Sequence, residues 1–250
     1  MNIFQTFWKS VRETFDEMFL LFTVNVLWLL MNVPFLLLLL VTLGGGATAL
    51  SFLVLLASTI AFGPANAGLY AIAQRITEGR ASSWRDFVAG VRTYARLSWK
   101  VYGLWMLGLV MMLFNVQFYQ LNGSTISGII TVFFLYLLVV WLSALIYIGP
   151  LMILQTDKRI RTIARNAGLM VLGRPIFTLV TLVLMLLITA LSIVLPLLFI
   201  VVTAAFLALW GFRATLTLIS EAEARRERLA TRTTEAPAAK GRSGQVRPRD

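Results

Sequence analysis

The sequence contains no cysteine and no histidine among its 250 residues. Without cysteine the chain cannot form disulfides, thiolate metal sites, a cysteine nucleophile or a palmitoylated anchor. Without histidine it lacks the commonest general base and the commonest metal ligand. No phosphate-binding loop, nucleophile elbow or dinucleotide fingerprint is present either. We therefore expect a protein that is not an enzyme and that holds no metal and no cofactor.

Charged residues are absent from three long blocks, which are residues 18–74, 101–156 and 175–212. An apolar stretch of about 18 residues or more can cross the roughly 30 Å of bilayer hydrocarbon as a helix. Even the shortest block, residues 175–212, holds 38 residues and has room for two crossings. The pattern predicts an all-α polytopic membrane bundle of six transmembrane helices, with short amphipathic cytoplasmic helices between them.

Turn signals divide each block into two spans. Gly44-Gly45-Gly46 divides the first block and Asn122-Gly123-Ser124 the second. The third block would form a helix of about 57 Å, too long for one crossing, so we place a tight turn at Ser192–Pro196 or, alternatively, a re-entrant hairpin. The predicted spans are about 18–43, 47–73, 101–121, 126–154, 176–191 and 197–219, which together form a transmembrane domain over residues 18–219.

The 22 lysines and arginines fall into four clusters, at residues 9–12, 75–100, 158–174 and 213–249. Cytoplasmic loops of membrane proteins carry an excess of Lys and Arg, and six spans place all four clusters on one side. We expect a multi-pass protein of the cell membrane with both termini cytoplasmic. The net charge of +11 does not indicate nucleic acid as a partner, because the aromatic and basic residues are not interleaved as in single-strand binders.

The chain ends outside the spans differ in character. Residues 1–17 have helical spacing of apolar side chains and predict an interfacial amphipathic helix leading into the first span. Residues 220–250 are typical of a basic, largely disordered cytoplasmic tail, although residues 221–229 can extend the last span as a helix. From Ala230 onward there are too few apolar residues to offset the cost of ordering the chain.

Two basic loop segments also have helical periodicity, at Ser82–Lys100 and Asp157–Gly173. Ser83 with Asp86 caps the first segment, and Asp157 caps the second. Apolar stripes run along both, through Phe87 in one and Ile163 in the other. Their cations lie on other faces and form a surface for anionic lipid headgroups or for a cytosolic or membrane partner; they are Arg85, Arg92, Arg96, Lys158, Arg161 and Arg165.

Polar residues and helix breakers within the spans are the candidate functional positions. Such asparagines either line a polar cavity or hydrogen-bond a neighbouring helix. The two Gly-Pro pairs precede the two basic segments, and either mark a binding site built from broken helices or serve packing. The candidate polar or hinge positions are Asn25, Asn32, Gly63, Pro64, Asn66, Asn115, Gly149 and Pro150.

Several short motifs resemble those of the YesL-like bacterial membrane proteins. The motifs are Asn25-Val-Leu-Trp-Leu-Leu, Phe62-Gly-Pro-Ala-Asn-Ala-Gly-Leu-Tyr70, Trp84-Arg-Asp-Phe87, and Arg165-Asn-Ala167 running toward Arg174-Pro175. The resemblance covers roughly residues 15–218. It implies an inner-membrane protein found beside carbohydrate ABC-transport systems, and it supplies no catalytic residues.

Three functions follow from these features, in order of preference. The first is a non-catalytic membrane component, accessory to a carbohydrate or other solute uptake system such as an ABC transporter. The second is a small transporter or channel subunit with a polar site near Asn25, Asn32 and the Gly-Pro pairs. The third, an intramembrane enzyme, is disfavoured because the spans hold no acid-base pair.

Overall fold

The structure is a computed structural model that describes residues 3–121 and 124–235, with side chains as far as residue 231. Over this part of the chain there is no strand. The helices are α1 (Ile3–Asp16), α2 (Met18–Gly44), α3 (Thr48–Thr77), α4 (Trp84–Leu121), α5 (Thr125–Leu154), α6 (Ile160–Gly173), α7 (Pro175–Val194), α8 (Pro196–Leu198) and α9 (Ala204–Glu235). A π-helical segment, Phe199–Thr203, joins α8 to α9.

Six of these helical segments are long and apolar enough to cross a membrane, which confirms the predicted all-α bundle with six candidate spans. They are α2, α3, α4, α5, α7 and the run from Pro196 to Thr231. Gly46 makes the turn between α2 and α3 with a φ of 69°, a backbone conformation that favours glycine. The third block turns at Leu195, where α7 ends and Pro196 opens α8, so residues 175–212 do not form one long helix.

Helix α4 is longer than the predicted span because the first basic segment and span 3 form one helix of 38 residues. The sequence contains no proline between Trp84 and Leu121, so nothing interrupts the backbone hydrogen bonds at the expected junction near Lys100. At about 1.5 Å per residue, Arg96 lies about 38 Å along the helix from Leu121. The arginines of α4 therefore sit at the end of a rigid helical extension and not on a separate surface helix.

Among the described residues, 3–121 and 124–215 belong to one compact unit, and 216–235 belong to a second. In the second unit the structure describes helix as far as Glu235, beyond Ala230, where the disordered tail was expected to begin. Residues 225–228 include three arginines and a glutamate, and such residues favour helix and carry the helical pattern past the apolar span. The rest of the predicted tail, residues 236–250, lies outside the described residues.

Small residues let α3 and α4 pack closely. A β-carbon at Gly68 would lie 2.7 Å from the ring of Phe87, and one at Gly90 would lie 2.6 Å from Cβ of Ala71. Contacts of this kind hold membrane helices together, because helices in lipid associate through close packing rather than through the hydrophobic effect. The two helices are thereby locked side by side from the apolar core to the basic end of α4.

Two tryptophans join α4 to α5 by reciprocal hydrogen bonds. Nε1 of Trp105 donates to the carbonyl oxygen of Trp141 at 3.1 Å, and Nε1 of Trp141 donates to that of Trp105 at 3.0 Å. Gly108 leaves space for the Trp141 ring, since a β-carbon there would lie 2.3 Å from it. The pair fixes the register of these two candidate spans.

Helix α1 packs on the bundle through a narrow face. Phe7 makes edge-on ring contacts with Phe206 and Trp210 of α9, at centroid distances of 6.0 and 5.1 Å. Glu13 accepts hydrogen bonds from Arg213, one of them from Nε at 2.8 Å, in an ion pair with little solvent exposure. The apolar side chains on another face of α1 are exposed; they include Phe4, Trp8 and Phe15. An interfacial position for α1 stays a prediction, and these exposed aromatic rings are compatible with it.

Candidate functional site

Asn25 is fully buried and bonds to the irregular start of the last candidate span. Its Nδ2 donates to the carbonyl oxygens of Phe199 and Ile200, at 2.9 and 2.7 Å. Its Oδ1 accepts from the backbone N–H of Ala205 at 3.1 Å. A π-helical turn disturbs the regular ladder of backbone bonds, and unpaired backbone groups are costly in hydrocarbon. Asn25 therefore stabilises the break between α8 and α9 through both polar atoms of its side chain.

The other three candidate asparagines bond within their own helices. Nδ2 of Asn32 donates to the carbonyl oxygen of Trp28, and Asn66 and Asn115 donate in the same way to the carbonyls four residues before them, at 2.7–2.8 Å. These bonds leave the side-chain oxygens available. Asn32 is buried, whereas Asn66 and Asn115 are half-buried. The structure thus separates Asn25, which links two helices, from three asparagines that do not.

The first Gly-Pro pair lies at the crossing of α3 and α4. A β-carbon at Gly63 would lie 3.1 Å from the backbone oxygen of Ser98, so glycine permits close backbone contact. Pro64 has no N–H and leaves the carbonyl of Ile60 without its usual helical donor. The indole Nε1 of Trp99 donates to that oxygen at 3.0 Å. The proline break is therefore closed by the neighbouring helix, and α3 continues through it.

The second Gly-Pro pair, Gly149-Pro150 on α5, also lies at a close contact with neighbouring helices. A β-carbon at Gly149 would lie only 2.0 Å from Cε2 of Tyr70, so the tyrosine ring rests on the glycine. Pro150 releases the carbonyl of Ile146, and this oxygen faces Gly211 of α9, where a β-carbon would lie 3.3 Å away. Both glycines therefore serve close packing at a proline, which is the packing alternative stated for these positions.

A cavity of about 250 Å³ lies inside the first compact unit. Its walls come from α2, α3, α5 and α7, from the π-helical segment and from the first turns of α9. Most of the lining side chains are apolar, and none is charged. Asn66 is the candidate position that lines it, while Asn25 and Asn32 do not. Of the candidate positions, Asn66 thus contributes one polar group to the lining of this cavity.

Three polar side chains of the cavity wall have hydrogen-bonding capacity to spare among the described residues. Trp28 is 9% exposed and its buried Nε1 has no partner. Tyr70 is 7% exposed and its hydroxyl makes no hydrogen bond with a described residue. The Oδ1 of Asn66 likewise accepts none. Sequence reasoning missed Trp28 and Tyr70, although both belong to the motifs quoted above, because aromatic residues in apolar spans usually only pack.

The basic surface on α4 comprises Arg85, Arg92 and Arg96, and all three are exposed. Arg85 lies 5.6 Å from the ring centroid of Trp84. Ser83 was expected to cap α4, but in the described part of the chain its side chain accepts no helix N–H. The carboxylate of Asp86 instead accepts from the Ser83 backbone N–H at 2.8 Å and from the Ser83 hydroxyl at 3.1 Å. Arg92 and Arg96 form no ion pair with any residue that the structure describes.

The basic surface on α6 comprises Arg161 and Arg165, which are exposed, while the buried stripe includes Ile163, Ala167 and Val171 as predicted. Lys158 was expected on the basic surface with Arg161 and Arg165, but its side chain bonds to the end of α5 instead. Its Nζ donates to the carbonyl oxygens of Met152 and Ile153, both at 2.9 Å, at the end of α5. It also lies 5.6 Å from the ring centroid of Tyr94. Partial burial lowers the pKa of Lys158, and its charge stabilises the end of a helix.

Asp157 stabilises the start of α6 from two residues before the N-cap. Its Oδ2 accepts from the hydroxyl of Thr162 at 2.8 Å, and its Oδ1 accepts from the backbone N–H of Arg159 at 3.1 Å. These bonds, with the Thr162 hydroxyl first and the nearby positive charge of Arg159 last, hold the pKa of Asp157 below its usual value. The acids near the basic surfaces, Asp86 and Asp157, thus serve local structure.

No protein-family model, no curated protein and no solved structure matches this chain. The candidate functions therefore have to be weighed on the chain's own residues.

Proposed function

We propose that this chain is a non-catalytic, multi-pass membrane protein that acts beside a carbohydrate or other solute uptake system and holds a partner at its basic surfaces. The observation that carries the proposal is the set of exposed arginines on α4 and α6. Arg92, Arg96, Arg161 and Arg165 have no ionic partner in the described part of the chain. Exposed cations without partners attract acidic surfaces and steer their association.

The distribution of charge supports a cytoplasmic position for these surfaces. All Lys and Arg clusters flank the candidate spans on the side that the positive-inside rule assigns to the cytoplasm, with both termini there. Along α4, Arg92 lies about 44 Å from Leu121, which exceeds the roughly 30 Å of hydrocarbon. Its guanidinium can therefore reach anionic headgroups or a protein at the membrane surface, such as the cytoplasmic face of an ABC transporter.

The packing inside the bundle favours an accessory role. It argues against a transport pathway through the polar site predicted near Asn25, Asn32 and the Gly-Pro pairs. Asn25 is fully used by the backbone of the last candidate span, and both Gly-Pro pairs are filled by Tyr70 or by close backbone contact. Transporters and proton relays usually place ionisable groups within the membrane. The six predicted spans contain no acidic residue and one cation, Arg213, which is paired with Glu13 of α1. This composition also favours a protein that does no chemistry.

An uptake assay in the source cell tests the proposal. We expect loss of the gene to lower the uptake of at least one carbohydrate from a labelled panel, and the wild-type chain to restore it. A four-fold variant, Arg92→Gln, Arg96→Gln, Arg161→Gln and Arg165→Gln, should fail to restore uptake. The control Lys9→Gln with Arg12→Gln, which removes cations from α1, should succeed.

The assay needs two accompanying measurements. A reporter fused after Asp250 should be cytoplasmic in every variant, so that lost function is not lost orientation. Purified wild-type chain in vesicles should show no sugar or ion flux. If the deletion strain took up every sugar at the rate of the wild-type strain, the role in uptake would be refuted. Sugar or ion flux through the purified chain alone would favour the function of a transporter subunit instead.

A further inference from the structure

The cavity between α2, α3, α5, α7 and α9 has the features of a small-molecule site. Ligand sites are concave and mainly apolar, with a few polar groups that fix orientation, and usually enclose about 300–1,000 Å³. This cavity of about 250 Å³ lies just below that range. By volume it could hold about eight waters at roughly 30 Å³ each, so it suits a small ligand.

The polar groups on its wall are incompletely paired. Trp28 carries a buried indole N–H without an acceptor, and Tyr70 and Asn66 carry oxygens without donors among the described residues. Polar groups left unpaired in an apolar interior are destabilising, so a ligand that pairs them gains affinity. Asn66 and Tyr70 lie one turn apart on the same face of α3, so one hydroxyl group of a ligand can approach both from one side.

The irregular segment of the last candidate span forms another part of the wall. Phe199 and Thr203, at the two ends of the π-helical turn, both line the cavity. Single π-helical turns occur frequently at functional sites. Here Asn25 holds the turn in place from outside the cavity, so the irregular wall is kept in a fixed shape.

The wall also indicates which ligands can enter and from where. No charged side chain lines the cavity, so an ion would have no counter-charge and would face a large desolvation cost. Leu186 lines the cavity, yet 51% of it is exposed on the outer surface of the bundle. A molecule dissolved in the bilayer can therefore reach the cavity beside Leu186.

We propose that this cavity binds a small, neutral alcohol from the lipid phase, with its hydroxyl group at Asn66 and Tyr70 and its apolar part against α5 and α7. The site is independent of the basic surfaces and of any uptake system. Its occupant is recognised by one hydroxyl group on an apolar body small enough for a cavity of about 250 Å³.

Photolabelling of the full chain in lipid nanodiscs tests this proposal, with 3-azioctanol as the probe. We expect saturable adducts on cavity residues such as Leu145 and Met185. Unlabelled octanol should compete about 3-fold to 10-fold better than octane at equal mole fraction in the lipid, because octane cannot form the hydrogen bond that the hydroxyl of octanol makes.

Matched variants identify the polar end. Tyr70→Phe and Asn66→Leu should each reduce the preference for octanol over octane. Asn115→Leu removes an asparagine with the same bond to its own helix, outside the cavity, and should keep the preference. Thermal melts of each variant in the same nanodiscs show that the fold is retained.

The proposal is overturned by any of three results. Adducts could be confined to lipid-facing residues such as Leu37 and fail to saturate. Octane could compete as well as octanol in the wild-type chain. Tyr70→Phe and Asn66→Leu could both behave like Asn115→Leu, in which case the cavity holds water or lipid tails without recognition of an oxygen.

Discussion

Replacing Gly149 by alanine adds a single methyl group where the structure has no room for it. The new β-carbon would lie 2.0 Å from Cε2, 2.4 Å from Cδ2 and 2.6 Å from Cζ of Tyr70. Tyr70 is almost fully buried, so its ring cannot turn outward to avoid the methyl group. The variant must therefore shift α3 relative to α5 or force the ring into a poor rotamer.

The expected cost follows from the general behaviour of overpacked cores. Extra methyl groups in a well-packed interior typically cost about 1–3 kcal/mol. For a domain of this size 1 kcal/mol corresponds to about 2–4 °C, so Gly149→Ala should lower the Tm by about 2–12 °C. The measurement is thermal unfolding of the purified chain in one fixed detergent or nanodisc.

Helix α5 provides its own control. A β-carbon added at Gly128 would have no neighbouring atom within 4 Å, so Gly128→Ala should keep or raise the Tm, since alanine favours helix by about 0.5–1 kcal/mol over glycine. Tyr70→Ala removes the obstructing ring, and in that background Gly149→Ala should cost nothing further. If Gly149→Ala were as stable as Gly128→Ala in the wild-type background, the proposed seat for the Tyr70 ring would be wrong.

Three other contacts give predictions of the same kind. Asn25→Ala should destabilise the chain by about 2–5 kcal/mol, because it leaves two backbone carbonyls and one backbone N–H without their hydrogen bonds. Asn115→Ala should cost under about 1 kcal/mol. Thermal unfolding of both variants under the same conditions compares the two costs. Trp99→Phe should cost about 1 kcal/mol, and less in a Pro64→Ala background, where residue 64 regains an N–H for Ile60. Asp157→Ala should lower hydrogen-exchange protection in the first turn of α6 at neutral pH. The folded pKa of Asp157 lies below its usual 3.8, so in the wild-type chain this protection should persist at neutral pH and be lost only as the pH falls through that lowered value.

The candidate spans and most of their ends were predictable because local signals determine them. The charge-free blocks exceed a bilayer-spanning length, and Gly46 and Pro196 stop helices through their own backbone properties. The caps at Asp86 and Asp157 involve partners within five residues. Such signals act over one or two turns and can be read without knowing which helices are neighbours.

The candidate site was less predictable because its contacts join distant parts of the chain. Asn25 bonds residues about 175 positions away, and Trp99 bonds a carbonyl 39 positions before it. The sequence shows that these groups need partners, but not which helix supplies them. The continuous α4 illustrates the same limit, since a change from basic to apolar composition does not by itself end a helix.

The contacts at the two Gly-Pro pairs favour fixed breaks over hinges. A hinge needs backbone groups that can exchange partners at little cost, and in hydrocarbon an unpaired group costs several kcal/mol. At Pro64 the released carbonyl is held by Trp99, and at Pro150 it is covered by Gly211 while Tyr70 fills the adjacent space. Motion at Pro64 would break a hydrogen bond for which lipid offers no substitute, and motion at Pro150 would disturb the packing of Tyr70 on Gly149. The ring of Tyr70 rests with one face on Gly149, and its hydroxyl has no partner among the described residues. Selective binding of a small neutral ligand requires a polar group that is held rigidly, and the hydroxyl of Tyr70 is held in this way.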